Sequence, residues 1–194
     1  MQDYHEFIDE VLVNEKTIEK RVAELGAQIN QAYAGQELLI VCLLRGGLTF
    51  TADLTRQLTI PHTLDCMSLS SYGVGHYATS GNVRVNLDLM TNIEGMNVLL
   101  VEDIVDSGRT LAHVLQMLKT REPKSLKVCV LLDKKYRREV AVEVDYVGFD
   151  IPDKYVFGYG IDIDEYYRHL RFIGAADLKK YKKTGNRELL VDMA

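Results

Sequence analysis

The sequence predicts an α/β fold, a doubly wound and mainly parallel sheet flanked by helices. Three observations carry that reading. Strand-like apolar runs alternate with segments of helical spacing. The runs, such as residues 37–44 and Val98-Leu99-Leu100-Val101, are too continuous for a sheet with one wet face. Every unusual loop begins where such a run ends: Arg45-Gly46-Gly47, residues 102–110, Lys134, and residues 146–153. Ligands bind at the carboxyl ends of strands in these sheets, so loops distant in sequence are expected to converge on one site.

The elements follow in order. Ile18, Val22, Leu25 and Ile29 give residues 15–33 a helical stripe, and Gly35 ends it. Residues 37–44 read as a buried strand, broken by Arg45-Gly46-Gly47. Residues 48–58 look helical, and Pro61 stops that element. Residues 64–70 are a candidate strand. Residues 71–82, rich in Ser, Gly and Tyr with almost no aliphatic content, predict a mobile loop. Val83, Val85, Leu87 and Leu89 alternate with polar residues, as in an edge strand. Residues 97–101 form the next strand and 107–119 the helix after it. Residues 126–132 and 144–149 complete the strands, separated by the charged stretch 133–139. Ile151-Pro152-Asp153 turns the chain into an aromatic-rich tail from Tyr155. No repeat or linker interrupts residues 1–194, so one domain is expected.

Composition narrows the function. Hydrophobic residues make up 47% and charged residues 26%, ordinary for a soluble domain. A net charge of −5 argues against a nucleic-acid partner, which wants a basic face. The N-terminal Met-Gln-Asp-Tyr-His-Glu is polar and acidic, so no secretory signal is expected, and no apolar run suits a membrane span. Cys42 and Cys129 sit inside apolar runs, and no CxxC occurs. The three cysteines therefore read as reduced small hydrophobes in a cytoplasmic setting.

The chemistry concentrates in Val98 to Thr110. An apolar run ends in Glu102-Asp103, followed by Ile104-Val105-Asp106-Ser107-Gly108-Arg109-Thr110 and a helical pattern. Small residues opening a helix offer free backbone N–H groups at the positive end of its dipole, an anion cradle. A plain helix cap explains Asp106 to Thr110 equally well when those residues are taken alone. The preceding acids favour the cradle. Two carboxylates beside a buried strand repel each other and lose hydration, so a cation or sugar hydroxyls should lie nearby. Mg²⁺ suits such a site because it takes oxygen ligands and keeps waters and substrate phosphates.

This segment resembles the signature of the type I phosphoribosyltransferases, which binds phosphoribosyl pyrophosphate (PRPP). Other motifs, in order between about Leu38 and Arg171, resemble the hypoxanthine (hypoxanthine-guanine) branch of that family. They are Leu44-Arg45-Gly46-Gly47, Leu69-Ser70-Ser71-Tyr72, Leu131-Leu132-Asp133-Lys134, residues 145–154, and Asp164-Glu165-Tyr166-Tyr167-Arg168. The resemblance implies the family's fold with a small hood. It also implies Mg²⁺-dependent transfer of a phosphoribosyl group from PRPP to hypoxanthine or guanine, with pyrophosphate released.

It implies roles as well. Asp106, Ser107, Gly108, Arg109 and Thr110 would wrap the 5′-phosphate. Arg45, Gly46 and Gly47, with a cis peptide between Leu44 and Arg45, would meet the pyrophosphate, as would Arg168. Glu102 and Asp103 would face the ribose hydroxyls and metal, and Asp153 would ligate a second Mg²⁺ and border the purine. Asp106 would be the general acid/base. Lys134 would bond the exocyclic oxygen of a 6-oxopurine, Tyr146 would stack on the ring, and Val147 would offer backbone groups. Ser71 and Tyr72 would belong to a lid at about 71–82 that excludes water. A homodimer or homotetramer is the family expectation.

Two other readings stay open on the residues. A xanthine-guanine phosphoribosyltransferase would share most motifs. A regulator that senses PRPP while binding RNA or DNA would share the fold, although the retained Asp106 and Lys134 favour catalysis. No GxGxxG follows a strand, which sets aside a dinucleotide-binding domain.

Overall fold

The structure, a computed structural model, describes residues 1–71 and 83–182. Its centre is a six-stranded sheet. The strands are β2 (Leu38–Leu44), β3 (His62–Ser71), β4 (Val83–Leu87), β5 (Asn97–Val105), β6 (Ser125–Asp133) and β7 (Tyr146–Asp150). Their order is β4-β3-β2-β5-β6-β7, parallel except for β4, which runs antiparallel to β3 at the edge.

Side-chain alternation explains why the runs are apolar throughout. Leu38 and Ile40 of β2, Leu99 and Val101 of β5, and Cys129 and Leu131 of β6 face one core. They pack with Ile18, Val22, Leu25 and Ile29 of α1 (Glu15–Ala32) and with Phe50 and Leu54 of α2 (Gly47–Thr55). Leu39, Val41, Val98, Leu100, Val128 and Val130 face the other core, with Leu111, Val114 and Leu118 of α3 (Arg109–Lys119). Helices thus cover both faces, as the doubly wound reading requires. The start of α1 is fixed by Asn14, whose side chain accepts from the Thr17 N–H at 3.0 Å. Cys42 and Cys129 are buried in these strands, and burial pushes the Cys42 thiol up to about 11, so it stays protonated.

The strand boundaries differ in one place that matters. β5 does not end at Val101. It continues through Glu102 and Asp103 to Val105, because Glu102, Ile104 and Val105 keep their register with Val130, Leu132 and Asp133 of β6. The two acids therefore sit on a sheet strand rather than on a loop.

A second, three-stranded sheet forms the hood, in the order β1-β9-β8: β1 (Ile8–Val13), β8 (Val156–Phe157) and β9 (Ile173–Ala176). It brings the chain's beginning to its aromatic-rich end. Phe7, Phe157, Ile163 and Tyr167 make its core, with ring centroids 5.2 Å apart for Phe7–Phe157 and 5.3 Å for Phe7–Tyr167. The expected lid begins at Ser71, the last residue of β3. Tyr72 and residues 73–82 lie outside the described residues.

Candidate active site

Three loops leave the carboxyl ends of β2, β5 and β6, and the hood closes over them. After β2, the chain passes through a cis peptide between Leu44 and Arg45, where the resemblance placed one. Gly46 then packs so closely on the Asp103 carboxylate that a Cβ there would overlap it. Any larger residue would have to displace the Asp103 carboxylate. The hood reaches the same loop: Arg45 Nη2 donates to Glu165 Oε1 at 2.7 Å, and Glu165 also accepts from Arg168 Nη2 at 3.1 Å. Arg168 Nη2 lies 2.7 Å from Asp162 Oδ1 as well, and its Nη1 donates to the Gly160 carbonyl at 2.8 Å.

These groups frame a cavity of about 360 Å³, lined among others by Arg45, Gly46, Glu102, Asp103, Thr110, Asp162 and Arg168. A smaller one of about 120 Å³ is lined by Glu102, Asp106, Ser107, Gly108 and Thr110. Glu102 and Thr110 belong to both. The turn between β5 and α3 thus cups the small cavity while the acids of β5 face the large one. Gly108 makes the turn possible with φ +82°, a left-handed conformation that L side chains rarely adopt. Ser107 Oγ accepts from the Arg109 N–H at 3.4 Å, and Arg109 itself points outward to Glu139, 2.7 Å away.

Electrostatics favour a cation beside these acids. Burial, reinforced by the adjacent Asp103, pushes Glu102 well above the ordinary carboxylate range. Both carboxylates are half-buried and offer only oxygen, a donor set suited to a hard divalent ion that takes its remaining ligands from substrate and water. Among the described residues, no group of three or more His, Cys, Asp or Glu side chains is arranged to hold a metal.

A second charged cluster stands at the end of β6. Lys134 is buried at 7% exposure, with Nζ 3.7 Å from Asp106 Oδ2 and 3.9 Å from Asp153 Oδ1. Arg137 Nε lies 3.0 Å from Asp106 Oδ1, and its Nη1 donates to Asp153 at 3.1 Å. Arg137 belongs to the charged stretch 133–139, which the sequence alone does not connect to the site.

The structure does not bring every expected residue to this site. Tyr146 opens β7 at its amino end, opposite Cys129. It is buried in the α1-side core with Lys127 5.8 Å from its ring centroid. That is the wrong end of the sheet for a ligand-stacking ring. The Val147 carbonyl is occupied by Arg21 Nη2 at 2.7 Å. Asp153 faces Arg137 and Lys134 rather than Glu102 and Asp103.

The signal that misled is a repeat: Tyr-Val occurs at 146–147 and again at 155–156. Tyr155 follows the turn at the carboxyl end of β7. It is 41% exposed, and burial together with the charges of Asp162 and Asp164 raises its phenol. Asp162, which the sequence reading passed over, lines the large cavity beside Arg168.

A small cup at the sheet end beside paired carboxylates fits the class that the sequence motifs resemble, and comparison with known proteins agrees with it. The family model described as "Phosphoribosyl transferase domain" matches residues 10–165. A hypoxanthine phosphoribosyltransferase of Salmonella typhimurium is 52% identical over 167 residues, covering 85% of this chain and 93% of that protein. A hypoxanthine-guanine phosphoribosyltransferase of Dictyostelium discoideum is 47% identical over 178 residues, covering 90% and 98%. Among solved structures, a hypoxanthine phosphoribosyltransferase from Staphylococcus aureus superposes with a TM-score of 0.87 at 38% identity, covering 92% of this chain and 97% of that one. The chain belongs to the phosphoribosyltransferase family, and within it to the hypoxanthine and hypoxanthine-guanine group. It is an enzyme, a glycosyl transferase whose substrates are PRPP and a purine base.

Proposed function

We propose that this chain catalyses purine salvage, the Mg²⁺-dependent transfer of the phosphoribosyl group from PRPP to hypoxanthine or guanine, giving IMP or GMP and pyrophosphate. One observation carries the reading. The phosphate-sized cavity and the larger acidic cavity meet at Glu102 and Thr110, with Lys134 and Asp106 next to that junction.

The 5′-phosphate sits against the amides of residues 107–110 and the Ser107 and Thr110 hydroxyls. Arg45, Gly46, Gly47 and Arg168 meet the pyrophosphate, where a guanidinium fork suits paired oxygens. Glu102 and Asp103 face the ribose hydroxyls and would hold one Mg²⁺, and Asp162, beside Arg168, takes the place given to Asp153 and would hold a second. When bound, that ion supplies charge neutralisation for the leaving pyrophosphate. Tyr155 offers the stacking face in place of Tyr146, and Val156 takes the position given to Val147.

Lys134 donates to the exocyclic oxygen of a 6-oxopurine. Adenine presents an amine there and leaves the ammonium without an acceptor. Asp106 exchanges the proton of the purine ring nitrogen. Arg137 Nε and Lys134 Nζ, 3.0 and 3.7 Å from its carboxylate oxygens, hold that side chain in place for the transfer.

The assembly is a homodimer or homotetramer. Exposed Leu64 and Leu87 and the neighbouring Met90 give the β3–β4 edge apolar surface to bury. The setting is cytoplasmic, where the three free cysteines stay reduced. No helix among the described residues is long and apolar enough to cross a membrane.

An absorbance assay with PRPP, Mg²⁺ and each of hypoxanthine, guanine, xanthine and adenine tests the reading. Turnover of hypoxanthine or guanine is expected. Turnover of adenine alone would refute it.

A further inference from the structure

The segment after Lys134 grips the phosphate-binding turn from behind. Arg138 Nη1 donates to the Asp106 carbonyl at 2.9 Å, and the Glu139 and Val140 N–H groups both donate to the Ser107 carbonyl, at 2.9 and 3.1 Å. Arg138 is itself held by Asp133, the last residue of β6, whose carboxylate is 3% exposed and accepts from Arg138 Nη2. The stem of Arg138 packs under Gly108, where a Cβ would come within 2.9 Å of Arg138 Cδ and 2.7 Å of the Val140 carbonyl.

A peptide unit is planar and trans, so its C=O and N–H point in opposite directions. Tying the Asp106 carbonyl to Arg138 therefore turns the Ser107 N–H the other way. Tying the Ser107 carbonyl to residues 139 and 140 does the same for the Gly108 N–H. Both residues line the 120 Å³ cavity on the opposite side of the turn. Buried ion pairs cost desolvation and are a poor way to add stability alone. This one has a geometric consequence, because it fixes the donor that fixes the turn.

We propose that Arg138, locked by the buried Asp133 carboxylate, is a positioning residue that presets the amides of the phosphate-binding turn and so sets the affinity for the sugar phosphate. The inference rests on the reading of residues 106–110 as the 5′-phosphate site. The side chain of Asp106 has separate anchors in Arg137 and Lys134. Loss of the Arg138 hydrogen bond therefore falls on PRPP binding rather than on turnover.

Arg138→Lys is the test, because a lysine keeps the charge opposite Asp133 but cannot bond two acceptors with a guanidinium fork. The full chain is titrated with ribose 5-phosphate by calorimetry, and steady-state constants and Tm are measured alongside. The expected result is roughly tenfold weaker ribose 5-phosphate binding and a similar rise in KM for PRPP. KM for hypoxanthine, kcat and its pH profile should stay within about twofold of wild type, with Tm little changed. Unaltered ribose 5-phosphate affinity, or an equal loss in both KM values and kcat together with Tm, overturns the inference. Asp133→Asn should act in the same direction, and a variant that binds as wild type does would also overturn it. The underlying reading fails separately, if Ser107→Ala with Thr110→Ala leaves ribose 5-phosphate binding intact.

Discussion

The phosphate side and the base side of the site were built by different means, and the contrast shows what a sequence displays. On the proposed phosphate side the groups offered to the ligand are largely backbone amides of one short segment, and Asp106, Ser107, Gly108 and Thr110 all line the small cavity. Gly108, with φ +82°, marks the turn, and Gly46 marks the close approach to Asp103. Glycines and small caps at fixed spacing are visible without knowing the fold. On the base side the groups are single side chains from separate segments. Lys134 comes from the end of β6 and Tyr155 from the turn after β7. Only the tertiary fold says which of the two Tyr-Val pairs stands at the carboxyl end of the sheet.

Five variants probe the contrast. The largest effect is expected at their junction. Asp106→Asn removes the proton acceptor but keeps shape, so kcat should fall about 10²–10⁴-fold while PRPP still binds. Steady-state assay with PRPP titration checks this, and full turnover would remove Asp106 from its role. Lys134→Gln comes next. The kcat/KM for hypoxanthine should drop roughly 10- to 100-fold with a relative gain for adenine, read by competition between the two bases.

A paired comparison sharpens the contrast directly. Tyr155→Ala should raise KM for hypoxanthine about tenfold with little effect on Tm. Tyr146→Ala should leave that KM alone and cost about 3–5 kcal/mol of stability, as buried aromatics do. Calorimetry and kinetics on both variants decide it, and the opposite pattern would restore Tyr146 to the base site.

The smallest effect concerns Glu102. Its folded carboxyl titrates above its unfolded value. The unfolded chain therefore releases that proton first, and stability falls as pH rises between the two values. Without metal, Tm should decline across that window, and Glu102→Gln should flatten the decline by about 2–4 °C. Added Mg²⁺ and PRPP should flatten it too. A wild-type curve that rises with pH there, or one that Glu102→Gln leaves unchanged, would contradict the assignment.

The same contrast runs through the fold. Buried parallel strands and α1 were legible because period and apolarity agree, as at Ile18, Val22, Leu25 and Ile29. Strand β1 was not, because Asp9 and Glu10 stand in its middle, Val11 is half exposed, and its partner β9 lies at the other end of the chain. The length of β5 was misjudged because Glu102 and Asp103 look like a loop. Backbone pairing with β6 overrides that composition. Arg137 and Arg138 looked like a solvated charged run, and only the fold shows that both bind Asp106.

The most direct measurement is a crystal structure of the chain with IMP. The 5′-phosphate should lie on the amides of residues 107–110 and the base between Tyr155 and Lys134, with Asp106 beside the imidazole-ring nitrogen that is not bonded to the ribose. A phosphate seated elsewhere, or a base stacked on Tyr146, would contradict it.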